Sequence, residues 1–106
     1  MPPKLQPKPG TPSAPSYLEA PEKALWREVL AVFDFSDAAS MAMLSTAMES
    51  HQRARRCRER IQTDGEALPD RWGQLKPHPL LAAERDARAA FIACMKALHL
   101  DLGVQP

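Results

Sequence analysis

The stretch from Ser36 to Ile61 constrains this chain more than any other. Its spacing predicts one long helix of about 25 residues, roughly 37 Å from end to end. The two halves of that helix differ. The first is small and apolar, with Ala38, Ala39, Met41, Ala42, Met43, Leu44, Ala47 and Met48. The second is basic, with Arg53, Arg55, Arg56, Arg58 and Arg60. Met41, Leu44, Met48, His51, Arg55 and Arg58 follow one another at spacings of three and four, which places them on one stripe. Ala47, Ala54, Cys57 and Ile61 form the stripe beside it. Side chains this small let a second helix approach closely.

The arginines do not form a single row. At 100° per residue, Arg53, Arg56 and Arg60 share one face, while Arg55 and Arg58 lie on another. Glu49 can pair with Arg53 at a spacing of four, and Glu59 neutralises part of the remainder. Cations near a helix C-terminus also favour its dipole. Five arginines against one glutamate between Arg53 and Arg60 still exceed what helix stability asks for. Contact with phosphate, contact with an acidic partner and a solvated face all remain open.

At 106 residues the chain holds one domain at most. Seven of its eleven prolines fall at or before Pro21, so residues 1–20 read as a disordered Pro-rich tail and residues 21–106 as the helical domain. Lys4 and Lys8 would be auxiliary phosphate contacts on that arm. A body this small buries only about 60–65% of its unfolded surface. Disulfides, metal or oligomerisation often complete such a core. Cys57 and Cys94 each sit inside a predicted helix, with no disulfide or metal spacing, and suit a reducing cytosol. There is no glycine-rich phosphate loop, no zinc spacing and no nucleophile–base–acid set, so no catalytic residue, cofactor or metal is expected. No apolar run reaches 18 residues, and no apolar segment follows the N-terminal charges, so neither a membrane span nor a secretory signal is expected. A net charge of +1 confines any nucleic-acid role to local clustering. Oligomerisation remains to complete the core.

Around the long helix, Pro21 opens a first helix with Glu22 favouring its dipole. Leu25, Trp26, Val29, Leu30, Val32 and Phe33 give it a broad apolar face, with Trp26 in the core. Residues 34–37 break the pattern, and Ser36 is the expected N-cap of the second helix. A helical hairpin and a helix-turn-helix both fit that break. Asp64-Gly65 ends the long helix. Residues 66–79 are turn-rich, compatible with a small hairpin around Gly73, and Trp72 either caps the seam or meets a neighbouring subunit. A third helix, Pro79 to Leu98, carries Leu80, Ala83, Ala87, Phe91, Cys94 and Leu98 on one stripe. The expected fold is therefore all-α, a short bundle of about three helices with a turn-rich connector, the third helix packed back on the second. Met41, Leu44, Met48, Trp72, Phe91 and Leu98 are the candidate oligomer or partner surface.

One resemblance extends this reading. The run Asp70-Arg-Trp-Gly-Gln-Leu-Lys-Pro-His-Pro79, then Ala83-Glu-Arg-Asp-Ala-Arg-Ala-Ala-Phe91 and Leu98-His-Leu-Asp-Leu102, resembles the small subunit of tailed-bacteriophage terminases. Phe35-Ser36-Asp37, Ile61 to Gly65 and His78-Pro79 fit that pattern in order, over about Pro21 to Leu102. Two departures stand out: no separate helix-turn-helix domain precedes Pro21, and the chain ends at Pro106 where family members often continue. The resemblance implies a ring-forming, non-catalytic protein in the cytoplasm of a bacterial host. Such a protein marks double-stranded phage DNA for packaging and regulates a large subunit that carries the ATPase and nuclease. On that reading Arg53, Arg55, Arg56, Arg58 and Arg60 are the candidate DNA contacts. A helical protein-interaction module and a small helix-turn-helix transcription regulator are the alternatives.

Overall fold

A computed structural model describes residues 12–35 and 37–99. Three helices and one small antiparallel sheet make up the fold: α1 (Ala20–Val32), α2 (Ala38–Asp64), β1 (Ala67–Pro69), β2 (Leu75–Pro77) and α3 (Leu80–Ala97). The all-α bundle with a small hairpin in its connector is the architecture expected. Lys4, Lys8 and the apolar residues after His99 lie outside the described residues.

α1 starts one residue before Pro21, which occupies the first turn where a missing N–H costs nothing. Its N-cap residue Glu19 supplies no side-chain cap. Gln52 on α2 does that work instead: its Oε1 accepts the Glu19 backbone N–H at 2.6 Å. Residues 12–19, expected within the tail, pack against the helices. Leu18 is buried in the core, and the Pro12 carbonyl accepts the indole N–H of Trp26 at 3.1 Å. The ordered body thus reaches further towards the N-terminus than the proline content suggests, because a buried Trp needs a partner for its N–H.

α2 begins at Ala38, and the cap is Asp37 rather than Ser36. The Asp37 carboxylate accepts the Ser40 N–H at 2.8 Å. α2 runs for 27 residues and stops at Gly65, whose φ of 91° suits glycine. The chain returns through the hairpin, in which Ala67 faces Pro77, Leu68 faces Lys76 and Pro69 faces Leu75. α3 then runs antiparallel to α2. From the Arg58–Glu84 contact to the His51–Phe91 contact, the pairing steps back seven residues on α2 and forward seven on α3.

The core sits where α1, the first half of α2 and the end of α3 meet. It comprises Leu18, Trp26, Val29, Leu30, Leu44, Ala47, Met48 and Leu98, with Met41, Phe91, Cys94 and Met95 packed against it. Five of the six residues expected to build an intersubunit seam therefore lie in or against this chain's own core, Leu44 and Met48 fully buried. The sixth, Trp72, is exposed.

α3 has no cap from its own N-cap residue, Pro79. His78 supplies one. Its Nδ1 accepts the Leu80 N–H at 3.0 Å, so Nδ1 carries no proton and Nε2–H donates to Asp64 at the end of α2, 2.9 Å away. One buried imidazole thus ties the end of one helix to the start of the next. Replacing it removes a cap and leaves the Asp64 carboxylate with Arg60 alone. His78→Ala is expected to cost about 1–2 kcal/mol of unfolding free energy in urea denaturation followed by circular dichroism.

Candidate functional site

The basic half of α2 is where sequence reasoning placed function, and the structure divides its arginines. Arg55 turns inward. Its Nε and Nη2 form a fork on Glu22 of α1 at 3.0 and 2.8 Å, Nη2 also reaches Glu19 at 2.6 Å, and Nη1 reaches Glu59 at 2.7 Å. Arg58 reaches across to Glu84 of α3 at 3.4 Å. Arg56 and Arg60 point outward, 60% and 67% exposed, and each holds one carboxylate: Glu19 at 2.9 Å and Asp64 at 2.8 Å. Arg53 is exposed and takes part in none of the ion pairs among the described residues. The expected Glu49–Arg53 pair is absent there, and Glu49 accepts the Tyr17 hydroxyl at 2.9 Å.

Glu22 is the residue that sequence reasoning underrated. Expected as a first-turn charge, it is a fully buried carboxylate. One oxygen accepts Arg55 Nη2. The other accepts Arg55 Nε and His51 Nδ1, the latter at 2.6 Å. Burial pushes its carboxyl up, but the hydrogen bonds from Arg55 and His51 outweigh that and hold it below the ordinary 4.5. The pairing with Glu22 in turn raises the Arg55 guanidinium against its own desolvation. A signal for this was present: Glu22 lies four residues before Trp26, on the apolar stripe of α1, and Arg55 lies on the apolar stripe of α2. A charge on each of two packed stripes is a pair in waiting.

Beyond the arginines, a groove of about 450 Å³ opens between α2 and α3. Ala83, Ala87 and Ala90 line it from α3, with Glu49, Arg53 and Asp86 among its polar residues. Among the described residues no group of three or more His, Cys, Asp or Glu side chains is placed to hold a metal ion. No helix there is long and apolar enough to cross a membrane. Cys57 is buried and Cys94 half-buried, both as free thiols. This chain matches no protein-family model, no curated protein and no solved structure.

Two outcomes follow from the buried cluster. Glu22→Ala leaves Arg55 and His51 facing an apolar gap, although Arg55 keeps Glu19 and Glu59. The expected loss is about 3 kcal/mol, the lower end for breaking a buried pair, read as a lower urea midpoint. The second outcome concerns acid. The carboxyls of Glu19, Glu22 and Asp64 are all held below their ordinary values, Glu19 by Arg56 and Arg55, and Asp64 chiefly by His78. Groups lowered in the folded state contribute fully above their unfolded pKa and lose that contribution as pH falls through the folded one. Their contribution should therefore hold from pH 7 to 5 and decline below the ordinary values of 4.5 and 3.8, measured as urea midpoints across that range.

Proposed function

We propose that this chain is the non-catalytic small subunit of a phage DNA-packaging terminase, acting on a large ATPase and nuclease subunit in the host cytoplasm. The resemblance over residues 70–79 supports the reading. That run corresponds to a built junction, in which the hairpin and His78 join α2 to α3.

The division of the arginines refines the DNA contact. Arg55 and Arg58 hold α1 and α3 onto α2, so the outward face of Arg53, Arg56 and Arg60 is the candidate phosphate surface. Binding of this kind is to the backbone of the duplex, without base readout, and depends steeply on salt. The competing reading is a protein-interaction module. It draws on the pairing of four of the five arginines with carboxylates of the same chain. A helix-turn-helix regulator is less well supported, because α2 packs against both α1 and α3 rather than standing free to enter a groove.

A gel-shift series in rising salt separates these readings. On duplex DNA, the triple variant Arg53/Arg56/Arg60→Ala should bind more weakly than wild type. Its slope of log affinity against log salt should be shallower by about 0.9 for each phosphate that is no longer neutralised. Equal binding by the two proteins, or no binding by wild type at low salt, removes DNA contact from this face. Binding that demands a short palindrome favours the regulator.

A further inference from the structure

The hairpin is the part of the structure that its own chain explains least. Every residue of β2 is exposed, and β1 half-buries only Leu68. A two-stranded hairpin with so little burial is marginal in water. This one is nevertheless tightly closed. The Asp70 carboxylate accepts the N–H groups of Trp72 and Gln74 at 2.8 and 3.0 Å. Two backbone bonds add to it, Asp70 N–H to the Gln74 carbonyl and Gly73 N–H to the Asp70 carbonyl. Gly73, at φ 81°, completes the turn. The product of this rigidity is a Trp72 side chain held 73% exposed, next to Leu75 at 71%. Arg71 lies over one face of the indole, 4.4 Å from the ring centroid.

An exposed tryptophan on a closed turn, with a cation over one face of its ring, is built like an interface anchor. The surface it fits is present on the same molecule. The groove between α2 and α3 has an alanine wall from Ala83, Ala87 and Ala90, which leaves room for a large ring. Its acidic residues, Glu49 and Asp86, complement Arg71 and Lys76, while Asp70 is occupied within the turn. Glu49 holds only the Tyr17 hydroxyl among the described residues, and Asp86 only its exposed neighbour Arg85 at 3.3 Å. Arg53, which forms no ion pair among the described residues, also lines the groove.

We propose that the hairpin tip of one copy of this chain docks Trp72 into the α2–α3 groove of a second copy. Arg71 and Lys76 then face Glu49 and Asp86 of that copy. Hairpin and groove are different patches, so the contact is head-to-tail. It leaves a free hairpin at one end and a free groove at the other, and it closes into a ring where the rotation allows. This gives the ring-forming reading above its contact surface, and it rests on that reading.

The test is the mass in solution by size exclusion with light scattering. Wild type at about 100 μM should run well above 11.8 kDa. Trp72→Ala, which removes the anchor, and Ala90→Arg, which fills the groove from an exposed position, should each weaken self-association by about 30-fold or more, with unchanged far-UV circular dichroism. An equimolar mixture of the two should form a 1:1 dimer, since one intact hairpin then meets one intact groove. Arg71→Glu/Lys76→Glu should dissociate the assembly, and adding Glu49→Lys/Asp86→Lys in the same chain should restore it. A Trp72→Ala protein with the wild-type mass overturns the hairpin contact and leaves the ring standing. Monomeric variants that do not complement each other overturn the groove as its site. A wild-type monomer overturns the ring itself, and the contact with it.

Discussion

The fork between Arg55 and Glu22 is the interaction on which the arrangement of the helices depends. It is the charged centre of the contact between α1 and α2, with His51 on the same carboxylate and Glu19 and Glu59 on the same guanidinium. A carboxylate with no exposed surface is tolerable only when both its oxygens are hydrogen-bonded, and here they are. No buried side-chain nitrogen or oxygen among the described residues lacks a partner. Such a network contributes less by net energy than by geometry. An apolar face slides on another at little cost, whereas a fork on a buried carboxylate fits one register.

The C-terminal end of α2 is fixed by a second polar device. His78 caps α3 with one ring nitrogen and holds Asp64 with the other, and its backbone N–H donates to Glu66 at the base of the hairpin. Along their shared length α2 and α3 lie together through small residues, Ala47, Ala54, Cys57 and Ala87 among the buried ones. The small side chains that permit close packing also leave the groove open on one side. The hairpin, placed by His78 and closed by Asp70, projects from the same junction. The rod of α2 thus organises two kinds of surface: arginines that tie its own chain together, and arginines that face out.

Much of this was legible in the order of residues. The three helices, the stop at Gly65, the return of α3 on α2 and the hairpin around Gly73 all follow from periodicity and turn chemistry, which are local. Even the division of the arginines into two faces is a matter of angle along one helix. The destination of each face was not legible. Arg55 and Arg58 find Glu22 and Glu84, which are 33 and 26 residues away, and no short-range pattern reports a partner at that distance. The seam residues show the same limit. Leu44 and Met48 read equally well as a surface for another subunit or as this chain's own core, because burial is a property of what lies opposite.

Residue order alone settles where the helices run, where they stop and which stripes along them are apolar, since these depend on side chains a few residues apart. It took the packed molecule to decide that two of five clustered positive charges, Arg55 and Arg58, fasten the helices together while the others face out. Packing also decided that Glu22 is a buried partner rather than a surface charge, and that of the candidate seam residues it is Trp72, not Leu44 or Met48, that faces water. The physical reason is the same each time: a charge or an apolar surface has a fixed chemistry, but its effect is set by the group that folding brings against it.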